Sequence, residues 1–259
     1  MIVRHSEQDY IDQESEERAI TDKAIIGMIA LLGNTKADIV RELRDFYNRY
    51  GTDGVVTYAE ARMWSAGNSH RRRLTVLLHL VSQKFTNLNS AMTPSFRRFL
   101  LDIIDSEDDF FNVFRTEDER EALLIKKWGE DNSVWSSRLN DDVDLWTAFI
   151  LADIKQNLLK KGSFDRLMKQ MDKRFKSMES VIKRLGLTES TAIGSMERYQ
   201  IFRQLGIKKY KFYAKEDERT CETCNALHGL VFPISAYEVG VTASPLHAHC
   251  RCWEVPIFD

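Results

Sequence analysis

The chain has 259 residues, of which 43% are hydrophobic and 29% are charged, and its formal net charge is −2. This composition excludes an intrinsically disordered chain and suits one large domain or two smaller ones. No apolar stretch reaches the ~18 residues of a membrane span, and the first 20 residues lack the apolar core of a signal peptide. We therefore expect a protein of the reducing cytoplasm that has no contact with a membrane.

Helices are predicted for most of the chain. Pro94 is the only proline before residue 233, and apolar residues recur at three- and four-residue steps from Ile25 to Phe46. Gly51 then marks a helix end, and Thr57 predicts a capping box with Glu60. Further helices are expected at about 70–90, 94–114, 117–128, 139–160, 163–185 and 188–204, with N-caps at Ser163 and Thr188 and stops at Gly162 and Gly186.

The pattern changes at Gly206. The segment KKYKFYAK alternates apolar residues with lysines and predicts a half-exposed strand, and GLVFPI and CRCWEVPIF are short, β-prone segments bounded by turns. The predicted fold is therefore mainly α: a helical body at 1–205, followed by a small C-terminal α+β module at 206–259 with a zinc-knuckle-like site.

Charge is segregated along the chain. Residues 101–150 carry 5 basic and 14 acidic groups, whereas residues 151–220 carry 17 basic and 9 acidic groups. These segments either form solvated faces that neutralise each other or orient the protein against a partner, a neighbouring copy or nucleic acid. The helical body also holds Trp64, Trp128, Trp135 and Trp146, so we expect it, rather than the module, to carry the main protein contact.

Several enzyme signatures are missing. The sequence has no phosphate-binding P-loop, no G-x-G-x-x-G turn, no H-E-x-x-H helix and no G-x-S-x-G elbow. Its acidic runs stand at helix starts, where carboxylates act as caps. We therefore expect no enzymatic activity.

All four cysteines lie in the last 39 residues. Cys221-x-x-Cys224 has the spacing of a zinc knuckle, and His247-x-x-Cys250 has the same two-residue gap. Two such pairs predict one zinc ion held by these four residues, and Cys252 is the alternative to His247. Buried structural thiols are the other interpretation.

Two further histidines stand near the pairs. His228 lies between them, and His249 is a spare donor beside Cys250. The zinc is expected to be structural, because a catalytic zinc keeps an open position and a nearby general base. The H-x-E and P-C-x-x-C pattern of zinc deaminases is absent from the sequence. A small module with little core gains folding free energy from such an ion.

The segments DERTCETCNALHGLVFPI and SPLHAHCRCWEVP resemble the C-terminal motif of the phage Mu F-like minor head proteins, also called phage head morphogenesis proteins. Ala248 departs from this motif, which usually has proline there, and His249 stands where the family often has asparagine. The matching positions are Asp217, Arg219, Thr220, Cys221, Cys224, Leu227, Gly229, Phe232, Pro245, Leu246, His247, Cys250, Arg251 and Cys252.

The resemblance implies a minor capsid component of the virion head. Such proteins associate with the portal and act in head assembly or in DNA packaging and ejection, so the expected partners are portal and head proteins. The expected location is the head interior near the portal, and the host cytoplasm during assembly.

Two other functions stay open. The alternative is a zinc-stapled DNA-binding protein that uses the basic 151–220 helices, because residues 221–259 have one arginine, no lysine and four acids. A metal-dependent hydrolase ranks third. We also expect Asp217 and Arg219 to hold the turn before the knuckle through hydrogen bonds, or Asp217 to pair with Arg251.

Overall fold

The computed structural model describes residues 5–63 and 72–258, so the predicted interface residue Trp64 lies outside the described part. As expected, helices dominate and a small sheet follows at the end of the chain. The α-helices are α1 (Glu7–Tyr50), α2 (Tyr58–Ala61), α3 (Arg73–Phe111), α4 (Glu117–Leu124), α5 (Trp135–Leu159), α6 (Phe164–Gln204) and α7 (Glu222–Leu227), and the strands are β1 (Lys209–Tyr213), β2 (Val231–Pro233) and β3 (Trp253–Ile257).

Two helices are longer than the sequence predicted. The helices expected at 163–185 and 188–204 are one helix, α6, because its apolar face continues through Gly186 and Thr188 Oγ1 donates to the Arg184 carbonyl within the helix. Likewise, α3 runs through Pro94 and joins the two helices expected on either side. In both cases burial of a continuous apolar face outweighs the local cost of a glycine or a proline, which is about 1–3 kcal/mol.

The predicted caps at the helix starts are mostly confirmed. Thr57 and Glu60 form the capping box of α2, and the Ser163 hydroxyl accepts from the Arg166 N–H at 3.3 Å. Helix α1 ends at Tyr50, directly before Gly51. Thr188, in contrast, lies inside α6 and caps nothing.

The chain divides into two compact units. One unit comprises residues to Ile26, Ser95–Arg138 and Lys183 onward, and the other comprises Gly27–Pro94 and Leu139–Ile182. We call them the C-terminal unit and the middle unit. The domain boundary predicted between residues 205 and 206 stays a prediction.

The three strands of the C-terminal unit form an antiparallel sheet in the order β2-β1-β3. Tyr210 and Phe212 of the central strand are fully buried, while Lys209 is exposed, which confirms the half-exposed strand. Tyr210 belongs to an apolar cluster with α1, α3 and α6 that contains Tyr10, Phe111, Ile201, Phe202, Ile207 and Trp253. The sheet therefore shares its core with the ends of three helices.

The three tryptophans that the structure describes in the helical body do not form an exposed surface. Trp135 and Trp146 are buried in the core, and Trp128 Nε1 donates to Glu189 at 3.0 Å. Their contacts are internal, so these three residues do not support the predicted protein interface. No helix in residues 5–63 and 72–258 is long and apolar enough to cross a membrane.

Candidate metal centre

The first pair of donors stands at the start of α7. Cys221 is the N-cap of this helix, and its sulfur accepts a hydrogen bond from the Cys224 N–H at 3.4 Å. The cap turns the chain so that both sulfurs lie on the same side of the first helical turn. Phe212 and Leu227 pack around this turn, so the two cysteines lie against an apolar surface.

The second pair comes from the loop before β3. The Cys250 N–H donates to the His247 carbonyl at 3.1 Å, which closes a tight turn around Ala248 and His249. Cys250 is buried, whereas His247 is exposed at the rim. The centre therefore has a buried side formed by sulfur and an exposed side formed by imidazole.

The donor atoms of the two pairs converge. His247 Nε2 lies 3.2 Å from both the Cys221 and the Cys224 sulfur, and the Cys224 and Cys250 sulfurs are 3.8 Å apart. In a tetrahedral site with Zn–S bonds of 2.3 Å, two sulfurs stand about 3.8 Å apart. These groups are thus close enough to hold a metal ion.

The imidazole of His247 is oriented by its own loop. Its Nδ1 lies 2.8 Å from the Ala248 carbonyl oxygen, to which it donates. Nε2 then keeps its lone pair and faces the cysteine sulfurs. Metal-binding histidines commonly fix their orientation through such a bond from the second ring nitrogen.

A fifth donor lies deeper in the centre. Cys252 is buried and forms a second group with Cys224 and Cys250, whose sulfurs are all within metal-binding distance of one another. Cys224 belongs to both groups. The ligand set Cys221, Cys224, His247 and Cys250 therefore stays a prediction, with Cys252 as the alternative.

The other two histidines of this region lie elsewhere. His228 Nδ1 lies 3.3 Å from the backbone nitrogen and oxygen of Ala214. His249 is exposed, and its backbone N–H donates to the Thr188 hydroxyl at 3.2 Å. Neither residue belongs to a donor group in the described part of the chain. His249 instead ties the second loop to α6.

The protonation of the sulfurs is uneven without a metal. A hydrogen bond from Cys252 lowers the pKa of Cys250 to about 6, and the same bond raises the pKa of Cys252. Burial, followed by the charge on Cys250, raises the pKa of Cys224 to about 12. Binding of an ion to these sulfurs must therefore release protons, which makes the affinity pH-dependent.

Asp217 holds the turn before the knuckle, as the sequence predicted. Its carboxylate accepts the Arg219 N–H at 2.9 Å and binds both terminal nitrogens of Arg251, one of them at 2.6 Å. The hydrogen bond from Arg251 is the main reason that the pKa of Asp217 is lowered well below its usual range. The Arg219 side chain is 77% exposed, so this residue contributes mainly its backbone.

One known protein family is similar to the region that contains this centre. Residues 149–255 match the family described as Phage Mu protein F like protein. This part of the chain is similar to a Mu F-like domain. The match confirms the resemblance found at residues 217–252 and extends it upstream through all of α6 and into the end of α5, although it covers less than half of the chain. No curated protein and no solved structure gave a significant match.

A buried ion cluster around Arg198 was not predicted from the sequence. Arg198 of α6 lies against three carboxylates: it binds Glu107 of α3 directly, Nη1 lies 3.7 Å from Glu17 of α1, and Nε lies 3.3 Å from Glu254 of β3. Arg198, Glu107 and Glu254 are all buried. The cluster therefore connects the strand that follows Cys252 to three helices.

Glu254 is the best-satisfied member of this cluster. It accepts hydrogen bonds from Tyr237 Oη at 3.0 Å, from Ser195 Oγ at 3.2 Å and from the Ser244 N–H at 2.6 Å. The sequence signal was weak, because a glutamate inside a strand and an arginine inside a helix normally face solvent. The alternation of side chains along a strand is the signal that could have shown Glu254 facing inward, and it was not used in the prediction.

A second ion cluster lies beside the first. Arg115 donates to Glu197 at 2.5 Å and lies 3.8 Å from Asp108, and all three residues are buried. Arg138 similarly binds Glu189 at 2.7 Å. Arg198 with Glu107 joins a base of the basic 151–220 segment to an acid of the acidic 101–150 segment, so part of the charge segregation is neutralised internally. Arg138 with Glu189 pairs the minority charge of each segment instead.

Proposed function

We propose that the protein is a structural component of a tailed-phage or prophage head: a minor capsid protein that associates with the portal and acts in head assembly or in DNA packaging and ejection. The observation that carries this proposal is the Mu F-like domain at residues 149–255, which supports a phage head morphogenesis protein. The proposed location is the head interior near the portal. The role is structural, with no catalytic step assigned to any residue.

The test is association of the full-length chain with its portal. We expect a tagged chain, expressed with the other head genes, to sediment with portal-containing particles. Because we assign the main contact to the helices, a Cys221→Ser variant should still sediment with the portal. Particles that form normally and contain none of the wild-type chain would contradict the proposal.

We also propose that the centre holds one structural zinc ion through Cys221, Cys224, His247 and Cys250. The convergent donors and the oriented imidazole support this choice, and three sulfurs with one nitrogen suit zinc. When bound, the ion would supply folding free energy to the C-terminal strands and the α7 turn, and no reaction. Elemental analysis of protein purified without chelator should give one zinc per chain.

Substitutions separate the two candidate ligand sets. If His247 is a ligand, cobalt bound to the wild type should show the charge-transfer intensity of three thiolates, and Cys252→Ser should leave this spectrum unchanged. If Cys252 takes the place of His247, the intensity should match four thiolates, and Cys252→Ser should lower it. A zinc content far below one per chain would reject both sets.

A second candidate function, binding of DNA, is supported by the outer face of α6. Arg166, Lys169, Lys173 and Lys176 follow one another at three- and four-residue steps, opposite the buried Leu167, Met171, Phe175 and Met178. All four cations are exposed and have no ion-pair partner among the residues that the structure describes. Such a stripe can neutralise three or four phosphates of a duplex.

Salt dependence tests this second candidate. Four phosphate contacts predict that the logarithm of the binding constant falls with the logarithm of salt concentration with a slope of about −3 to −4. The double variant Lys169→Glu, Lys173→Glu should reduce this slope by about 2. Lys208→Glu, Lys209→Glu is the matched control, since both residues are exposed in the C-terminal unit. Equal effects of the two pairs would reject this face.

A further inference from the structure

The four cysteines, all of which lie in the described part of the chain, differ in their access to solvent. Cys221 is only partly buried, whereas Cys224, Cys250 and Cys252 are 2%, 1% and 5% exposed. None of the four forms a disulfide. Reactive cysteines are those that solvent can reach, while buried ones are inert. A reagent in solution therefore meets Cys221 first.

The sulfur of Cys224 lies within reach of the Cys221 sulfur. The Cys224 N–H donates to Cys221 Sγ at 3.4 Å, and the two sulfurs lie within 4.8 Å of each other. Residues three apart in a helical turn have Cα atoms about 5 Å apart. A disulfide needs a Cα separation of roughly 4.4–6.8 Å. The pair can therefore close a disulfide by rotation of its side chains, with little movement of the backbone.

The two remaining cysteines are placed less well to react with Cys221. The Cys250 sulfur lies 3.8 Å from that of Cys224, and Cys252 joins these two in the buried donor group. Neither Cys250 nor Cys252 lies in a donor group with Cys221. The thiol that stands ready to react with a modified Cys221 is therefore that of Cys224.

We propose that Cys221 and Cys224 form a redox-active dithiol that small disulfides oxidise. The Cys221 sulfur attacks one sulfur of the small disulfide, whose S–S bond breaks, and one small thiol leaves. The Cys224 sulfur then attacks the Cys221 sulfur of this mixed disulfide and releases the second small thiol. In the metal-free protein the two cysteines lose two electrons and two protons, which convert the small disulfide into two thiols. With an ion bound, both cysteines are already deprotonated, and the leaving thiolates take their protons from water.

Oxidation removes two donors from the candidate metal centre. Both candidate ligand sets contain Cys221 and Cys224, so the disulfide leaves an ion with two of its four ligands. An ion held by two ligands dissociates far more readily than one held by four, so oxidation should release it. This release rests on the proposed zinc ion, whereas the disulfide itself needs only the two thiols.

The redox state of the pair should follow the compartment. A reducing cytoplasm keeps accessible thiols reduced, and the centre can then hold its ion. A particle outside the cell meets oxidising conditions. Under the proposed function the chain passes from the first condition to the second, and a disulfide then closes the knuckle in place of the ion.

The test uses the full-length protein and hydroxyethyl disulfide, an uncharged reagent chosen because the exposed Glu218 and Glu222 flank Cys221. After the reaction, free thiols are trapped with N-ethylmaleimide and the peptides are mapped by mass spectrometry. We expect a disulfide between Cys221 and Cys224 in roughly 10-fold excess over any other pair, while the two remaining cysteines stay free. Protein unfolded in guanidinium is the control for access, and there all four cysteines should react.

Two variants separate the steps of the reaction. Cys224→Ser should stop at the mixed disulfide on Cys221, whereas Cys221→Ser should slow the loss of thiols roughly 10-fold or more. Thr223→Ser is the matched control, because residue 223 is exposed in the same turn and carries no thiol, and it should react like the wild type. Circular dichroism checks that each variant is folded, and the wild-type map decides the question where a variant is not.

The same experiment follows zinc with a colorimetric chelator. We expect one zinc ion released for each disulfide formed, and dithiothreitol should restore both thiols. A disulfide between Cys221 and Cys224 without any zinc release would reject the proposed ion and support the dithiol. Bound zinc with both cysteines still reduced after excess reagent would overturn the dithiol and support the ion. A disulfide mainly between Cys224 and Cys250 would also overturn it.

Discussion

Replacement of Arg198 by methionine should destabilise the C-terminal unit by about 3–5 kcal/mol, because it leaves buried carboxylates without their cation. Arg198 binds Glu107 directly and lies near Glu17 and Glu254. Glu254 keeps three other hydrogen-bond donors, so most of the loss arises at Glu107. Two charge-assisted hydrogen bonds at about 1.5–3 kcal/mol each give a similar range, about 3–6 kcal/mol.

The pH dependence of this effect has a definite sign. Burial raises the pKa of Glu107 well above its usual value even in the presence of Arg198. Without the arginine, the folded state binds this proton still more tightly than the unfolded state does. Stability of both proteins should therefore fall as the pH rises above the ordinary glutamate pKa, and the deficit of the variant should be larger above the wild-type pKa of Glu107 than below it, because only the variant still holds this proton there.

The assay is guanidinium unfolding of the zinc-supplemented protein, combined with hydrogen exchange to follow the C-terminal unit separately. Arg203→Met is the control, because Arg203 is exposed on the same helix, and it should cost less than about 0.5 kcal/mol. In a Glu107→Gln background, Arg198→Met should cost clearly less. A loss under 1 kcal/mol, or an equal loss in both backgrounds, would refute the reasoning.

Three further predictions concern the same unit. Burial, followed by the charge of Glu197, raises the pKa of Asp108 to about 8. Asp108→Asn should therefore stabilise the protein at pH 9 and have little effect at pH 5. The measurement is the unfolding midpoint at each pH. Removal of metal by a strong chelator should raise hydrogen exchange in β3 and α7, and leave exchange in the middle unit unchanged. Asp217→Asn should weaken zinc binding about 10-fold in a competition assay, because the Arg251 loop loses its anchor.

The sequence predicted the local elements well because their signals are local. The capping box at Thr57 and the alternation around Tyr210 each depend on a few neighbouring residues, and both are confirmed. The joining of helices at Gly186 was missed, because a glycine stops a helix only if no packed face continues beyond it. That information lies in residues far apart in the chain.

In the candidate site, too, features with local sequence signals were predicted and contacts between distant residues were missed. The spacing of its cysteines and histidines predicted a cluster of donors, which the structure brings close together, and the family motif pointed to the Asp217–Arg251 pair. The Arg198 cluster was missed, because its members come from α1, α3, α6 and β3, separated by up to 237 positions. No local pattern distinguishes an arginine that faces water from one that is surrounded by distant glutamates.

The candidate metal centre and the Arg198 cluster both lie at the same short strand, β3. Cys252, which directly precedes β3, belongs to one of the two donor groups, and Glu254 of β3 joins the ion cluster. The strand is five residues long and pairs only with β1 in the described sheet. A short strand at the edge of a small sheet contributes little stability of its own. The Arg198 cluster holds β3 against the helices, and the candidate metal centre would do the same with an ion bound. This explains why a buried arginine, Arg198, lies against the strand that follows the candidate metal-binding loop.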